Sequence, residues 1–177
     1  MTTHIHHAAC GCMPALSRRS ALGLGFGAAV MAAFPALAQS KSFEAMLVNC
    51  IDPRVTTTSL GYMVSRGFMN QYSQFVFAGG PIGAVAPAFE HWHKTFWENL
   101  AISIQLHNIK RVVGFTHRDC GAAFVAYGDA LKTDKALETA KQSEALKQFR
   151  AEVIKRHPNL SVDTGIMAID GLVEVVS

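Results

Sequence analysis

The strongest constraint on the fold of this chain is a regular alternation between short apolar runs and stretches with helical spacing. Four apolar runs have the length and composition of buried strands, and they are residues 45–51, 74–78, 109–115 and 160–168. Four stretches between them favour helices, and they are residues 56–72, 86–106, 121–127 and 135–155. Strands that alternate with helices predict a mostly parallel β-sheet that is covered by helices on both faces.

The end of the chain departs from this alternation. Asp170 and Gly171 form a turn signal between the last long run and the mostly apolar residues 172–176 (LVEVV), which is the pattern of a β-hairpin. We therefore predict an α/β fold: a mostly parallel β-sheet flanked by helices, with a C-terminal antiparallel hairpin at one edge. A chain of 177 residues has room for one such domain.

The first 38 residues have the pattern of an export signal. Residues 17–22 (SRRSAL) match the twin-arginine type, residues 21–34 are uncharged and apolar, and residues 36–38 (ALA) form a small-x-small cleavage site. The apolar run is shorter than the roughly 20 residues that span a bilayer, which favours a cleaved signal over a membrane anchor. We expect the twin-arginine export machinery as a partner, a periplasmic location, and a mature domain of residues 39–177.

The charge of the chain argues against a nucleic-acid partner. The formal net charge is +3, and the predicted signal removes Arg18 and Arg19. The mature domain then has 14 basic and 13 acidic side chains. A nearly neutral domain lacks the basic surface that phosphate backbones require, so we expect no nucleic acid as a partner.

The cysteines separate into two pairs. Cys10 and Cys12 lie in a His- and Cys-rich leader, which we interpret as part of the discarded signal, so the mature domain keeps Cys50 and Cys120. An oxidising periplasm favours a disulfide between two such cysteines. Each of them, however, follows a predicted buried strand and lies in a ligand-like motif. We therefore favour two thiolates that bind a metal ion.

Three side chains are predicted to meet at one edge of the sheet. Cys50 ends the first strand, and His117 and Cys120 follow the third strand. Ligands of open parallel sheets bind at the carboxyl ends of the strands. Two cysteines and one histidine form a tetrahedral zinc set with one open position, which is typical of catalytic zinc. The sequence therefore predicts one Zn²⁺ per chain, held by these three residues.

Two stretches of the chain resemble the paired signatures of the β-carbonic anhydrases. They are residues 50–54 (CIDPR) and residues 112–122 (VVGFTHRDCGA). The likeness extends to residues 77–80 (FAGG) and to the last strand and hairpin, residues 163–176. It covers the whole mature domain, and the two signatures occur in order, each after an apolar strand.

The resemblance implies the reversible hydration of carbon dioxide to bicarbonate through a zinc-bound hydroxide. It implies that Asp52 accepts a hydrogen bond from that hydroxide and that Arg54 pairs with Asp52 and keeps it off the metal. In some members of the family the aspartate binds the zinc instead, so Asp52 is also a candidate metal ligand. The resemblance further implies a homodimer or a higher oligomer.

The substrate of such a site is small and apolar, so the walls of its pocket should be apolar as well. The candidate wall residues are Val55, Phe75, Phe77 and Ile82, and each of them fits a place in the core equally well.

Three alternatives remain open at this point. The same site could hydrolyse CS₂ or COS instead of hydrating carbon dioxide. The protein could also be a non-catalytic periplasmic zinc-binding protein, because Val76 and Phe77 stand where the family commonly has arginine and asparagine. Finally, Asp52 and Arg54 could form an ion pair that only braces the end of the strand.

Overall fold

A computed structural model of the protein describes residues 42–177. The predicted export signal and the leader lie outside the described residues, so both stay predictions. Within residues 42–177, no helix combines the length and the apolar character needed to cross a membrane.

The described residues form one five-stranded sheet. Its strands are β1 (Ala45–Asn49), β2 (Tyr72–Val76), β3 (Arg111–His117), β4 (Ser161–Met167) and β5 (Val173–Val175). Their spatial order is β2-β1-β3-β4-β5. The pairs β1–β2, β1–β3 and β3–β4 are parallel, and β4–β5 is antiparallel. This confirms the predicted fold, including the C-terminal hairpin.

Five α-helices connect or cover the strands. They are α1 (Thr56–Ser65), α2 (Pro81–Val85), α3 (Glu90–His107), α4 (Gly121–Tyr127) and α5 (Lys135–Arg156). Short 3₁₀ turns at Pro53–Val55, Pro87–Phe89 and Asp129–Lys132 precede α1, α3 and α5.

Several predicted boundaries were wrong; the second strand, predicted at residues 74–78, lies at Tyr72–Val76. The helix predicted for residues 56–72 ends at Ser65, because Gly67 and Asn70 have positive φ angles of 76° and 58° that a helix does not allow. The glycine-rich residues 79–83 after β2, which have the composition of a loop, overlap the short helix α2, which begins at a proline. His117 is the last residue of β3 and does not lie beyond the strand.

Helices cover both faces of the central strands. In β3, a Cβ at Gly114 would lie 2.9 Å from the Phe149 ring of α5. The next residue, Phe115, points to the other face and contacts Tyr62 of α1, with ring centroids 4.7 Å apart. Every residue of β1 is buried, as expected for a parallel strand in the middle of a sheet.

The register of β1 and β3 places the ends of both strands at the same edge. Val48 lies opposite Gly114, so Cys50, two residues further, leaves the sheet close to His117. A turn at Gly79 and Gly80 packs against this edge. Gly80 has a φ of 54°, and a Cβ there would lie 2.7 Å from the Phe115 carbonyl oxygen and 3.0 Å from the Asn49 backbone. Position 80 therefore requires glycine, because its φ is positive and because a Cβ there would clash with the neighbouring backbone.

We expect Gly80→Ala to lower the free energy of unfolding by roughly 1–3 kcal/mol, because it combines a positive φ with a backbone clash. Gly61→Ala is the matched control. Gly61 lies within α1, and a Cβ added there would meet no neighbouring atom within 4 Å, so alanine should stabilise the helix by about 0.5–1 kcal/mol. Urea unfolding measures both changes. Equal stability of Gly80→Ala and the wild type would contradict this account.

Candidate metal centre

Three elements each contribute one side chain to a buried cluster. Cys50 follows β1, His117 ends β3, and Cys120 is the residue before α4. One ligand atom of each residue lies within 4.8 Å of the other two, and all three residues are buried. Both cysteines are free thiols. The structure thus brings together the three residues that the sequence singled out, and their role as metal ligands stays a prediction.

The imidazole of His117 is oriented as a metal-binding histidine would be. Its Nδ1 lies 2.9 Å from the Arg118 carbonyl oxygen. Because a carbonyl only accepts, Nδ1 must carry the proton, which leaves a lone pair on Nε2 of the neutral ring. Nε2 is buried and has no hydrogen-bond partner among the described residues. A buried lone pair without a donor is what a metal ion would satisfy.

The two sulfur atoms also suit a cation. A hydrogen bond from the Cys120 thiol lowers the pKa of the Cys50 thiol, and the Gly79 amide, 3.2 Å from Cys50 Sγ, adds to this effect. The pKa of Cys120 is raised, because its proton is held by the Cys50 sulfur and its site is buried. A metal ion that binds both sulfurs as thiolates would displace the proton between them.

Asp52 and Arg54 form a bidentate ion pair beside the cluster. Arg54 Nε lies 3.0 Å from Asp52 Oδ1, and Arg54 Nη2 lies 2.7 Å from Asp52 Oδ2. These hydrogen bonds lower the pKa of Asp52 to about 2. Asp52 Oδ2 is 3.9 Å from His117 Nε2, which is too long for a hydrogen bond. An ionised carboxylate therefore lies next to the cluster and is held there by the guanidinium.

Arg54 has a second carboxylate partner, for which the sequence predicted no role. Its Nη1 lies 2.9 Å from Asp119 Oδ2, and its Nη2 lies 3.1 Å from the Asp119 carbonyl oxygen. Asp119 has a φ of 58°, in the left-handed region that aspartate tolerates better than most residues. Its signals in the sequence were its position one residue before Cys120 and its place within residues 112–122. Arg54 thus connects the residues after β1 to the loop between the other two cluster residues.

Two further residues near this loop were missed. Glu138 and Gln142 lie on α5 and are fully buried, although they belong to a helix whose composition is polar. Nothing in the local pattern distinguishes them from solvent-exposed residues. Only the tertiary structure shows that they face the loop between β3 and α4.

An open cleft of about 310 Å³ leads to the cluster. Its lining residues are Cys50, Ile51, Asp52, Pro53, Ala78, Gly121 and Ala122. Beside it lies a second depression, here called the apolar hollow, of about 390 Å³. The apolar hollow is lined by Ile51, Phe75, Val76, Phe77, Ala78, Trp92 and Thr95.

Of the four candidate wall residues, two line the apolar hollow and two lie in the core. Phe75 and Phe77 line the apolar hollow. Val55 and Ile82 do not line the cleft, because the 3₁₀ turn and α2 direct them into the core, where they are 2% and 0% exposed. These two residues therefore have the core position that the sequence left open as the alternative.

The chain matches a family model described as "putative carbonic anhydrase" over residues 39–167. An uncharacterized protein of Rickettsia conorii is 29% identical over 131 residues, which are 74% of this chain and 70% of that protein. A second uncharacterized protein, from Rickettsia bellii, is 28% identical over 131 residues, 74% of this chain and 80% of that protein.

Two solved structures share the fold. A β-carbonic anhydrase of Sordaria macrospora, described as tetrameric, has a TM-score of 0.53 at 16% identity, over 81% of this chain and 85% of that chain. The Coccomyxa β-carbonic anhydrase in complex with acetazolamide has a TM-score of 0.52 at 15% identity, over 81% of this chain and 76% of that chain. At these identities the likeness shows the fold alone.

We expect Cys50→Ser and His117→Asn to abolish stoichiometric zinc binding, because each removes one of only three ligands. Metal analysis of the purified protein after dialysis measures the zinc content. His91→Asn is the matched control, since His91 is exposed on α3 and lies outside the cluster. Zinc retained by both cluster variants, or lost from the control as well, would contradict the assignment.

Proposed function

This chain belongs to the carbonic anhydrase family whose model it matches, and on that basis we propose that it is a zinc enzyme that interconverts carbon dioxide and bicarbonate. The observation that carries the proposal is the buried cluster of two cysteines and one histidine at the end of an open cleft. Three such ligands leave zinc one open position, as catalytic sites require. Zinc bound there would act as a Lewis acid that makes water nucleophilic near neutral pH.

Asp52 is the residue that would orient the nucleophile. Its carboxylate lies beside the cluster and lines the cleft. With a pKa of about 2 it is ionised at neutral pH, so it accepts hydrogen bonds but is a weak base. We therefore assign it the orientation of the attacking water and not the removal of its proton. Arg54 fixes the carboxylate in this position through two parallel hydrogen bonds.

The walls of the cleft suit a small apolar substrate. Ile51, Ala78 and Ala122 present aliphatic surface next to Cys50 and Asp52. An apolar wall accepts carbon dioxide without requiring donors for its oxygens. The same walls, together with the neighbouring apolar hollow, also suit CS₂ or COS, which makes hydrolysis of these molecules the second candidate activity.

We expect Asp52→Asn to retain zinc and to lower the kcat/KM of carbon dioxide hydration by about 10–100-fold, because the amide no longer holds the nucleophile with a charged acceptor. Stopped-flow hydration at mildly alkaline pH measures the rate. Asp129→Asn is the control, since this carboxylate is 80% exposed and pairs only with Lys132 among the described residues.

Two results would change the proposal. A zinc-loaded wild type that hydrolyses CS₂ but does not hydrate carbon dioxide would favour the second activity. A zinc-loaded wild type that is inactive on all three molecules would favour a non-catalytic zinc protein.

We also propose that the protein is a homo-oligomer in which a second copy covers the apolar hollow. The Sordaria enzyme is described as tetrameric. In this chain the hollow lies at the edge strand β2 of the described sheet, and Ile51 and Val76 are 61% and 45% exposed there. Apolar surface at an unpaired strand edge favours association with another chain.

We expect Val76→Glu to convert the oligomer to a smaller species, because it places a charge in this apolar surface. Val64→Glu is the matched control, a valine of similar exposure (41%) that lies on helix α1 and not on a strand edge. Sedimentation velocity measures the mass of each. A wild type that is monomeric at all concentrations, or a Val76→Glu variant with wild-type mass, would contradict the proposal.

A further inference from the structure

Helix α5 buries two polar side chains against the loop that joins β3 to α4. Glu138 and Gln142 are both 0% exposed, and a spacing of four residues places them on the same face of the helix. Further along α5 the buried residues are mostly apolar, and they include Ala145, Leu146 and Phe149. A buried carboxylate is costly unless it is paired and hydrogen-bonded. The groups that contact the Glu138 carboxylate therefore indicate its structural role.

The contacts of Glu138 converge on this loop. Its Oε1 accepts a hydrogen bond of 2.7 Å from the Asp119 amide. Its Oε2 lies 3.6 Å from Arg118 Nη1 and 3.5 Å from Lys135 Nζ. Arg118 and Asp119 are the two residues between His117 and Cys120. The buried charge is therefore compensated in part at the segment that carries two of the three cluster residues.

A single peptide group connects Glu138 to the imidazole of His117. The peptide between Arg118 and Asp119 donates its N–H to Glu138 and accepts, at its carbonyl oxygen, the hydrogen bond from His117 Nδ1 at 2.9 Å. A carboxylate that accepts from the N–H polarises the carbonyl and strengthens the bond from Nδ1. That bond selects the tautomer and the direction of Nε2, and it raises the basicity of the ring as a ligand.

Gln142 holds the other side of the same residue. Its Nε2 donates to the His117 carbonyl oxygen at 2.9 Å, and its Oε1 accepts from Thr116 Oγ1 at 2.7 Å. Because both ends of the amide are used, the orientation of Gln142 is fixed. Helix α5 thus holds the backbone at His117 and again at Asp119.

We propose that Glu138 is a positioning residue for the metal centre, which acts through the Arg118–Asp119 peptide to orient the His117 imidazole, with Gln142 fixing the His117 backbone. The inference rests on the proposed function only in that the cluster binds a metal ion. It does not depend on which molecule the loaded protein acts on.

The test compares Glu138→Ala and Glu138→Gln with Glu144→Gln in the full chain. Glu144 lies on the same helix, is 69% exposed and pairs with Lys141, so it controls for the loss of one negative charge.

Chelator competition measures zinc affinity, and the absorption spectrum of the Co²⁺-substituted protein reports ligand geometry. We expect Glu138→Ala to weaken zinc binding by about 10–100-fold and to change the Co²⁺ spectrum. Glu138→Gln keeps a neutral acceptor and should lie between Glu138→Ala and the control.

A residue that only braces the helix would give a different result. It would lower the melting temperature of the zinc-loaded and zinc-free protein equally, whereas a positioning residue reduces the stabilisation that zinc adds. Equal lowering, or zinc affinity of both Glu138 variants within twofold of the control, overturns the proposal. If Glu138→Ala does not fold, the test uses Glu138→Gln and Gln142→Met instead. Zinc affinity equal to that of the control in both variants overturns the proposal.

These readouts also separate this proposal from the enzymatic one. Zinc affinity and the Co²⁺ spectrum are measured without substrate, so a wild type that binds zinc but hydrates no carbon dioxide leaves the role of Glu138 testable. Conversely, an active wild type with unaffected Glu138 variants would remove the positioning role and leave the activity intact.

Discussion

The parallel pairing of β1 with β3 is the constraint on which the rest of the site depends. It brings Cys50 from the first third of the domain to His117, 67 positions further along the chain. A slip of the register by one residue would turn every side chain of a strand to the opposite face of the sheet. The register is protected because both strands are buried on both faces, and because the Gly79–Gly80 turn fits against their ends only where they now lie.

Arg54 links the charged groups of two loops beside the cluster. One guanidinium binds the carboxylate of Asp52 and both the carboxylate and the carbonyl oxygen of Asp119. Movement of Asp52 would therefore be transmitted to the loop that carries Cys120, and movement of that loop to Asp52. The ion pair therefore links the end of β1 to the loop before α4 as well.

The sequence predicted those parts of the structure that depend on periodicity and on strand ends. The alternation of runs indicated the parallel sheet, and the positions of Cys50, His117 and Cys120 after strands indicated a common edge. The end of α1 at Ser65 was missed although Gly67 is a local signal for it. Gly67 has a positive φ and donates its amide to the Val64 carbonyl oxygen, and the Phe68 amide donates to the Met63 carbonyl oxygen, as at a helix that ends on glycine. Glu138 was missed for a different reason: an acidic residue in a polar helix has the same local pattern whether it is exposed or buried under a loop.

The buried polar residues of α5 help to fix the geometry of the site. The loop between His117 and Cys120 makes hydrogen bonds to Glu138, Gln142 and Arg54, and none of these side chains belongs to the cluster itself. These contacts hold the backbone at Asp119, which has a φ of 58°. In a small zinc domain that folds only around its ion, binding energy is consumed in ordering the chain. Here α5 and the sheet contribute that order, so a metal ion held by the three proposed ligands would lose less binding energy to ordering the chain.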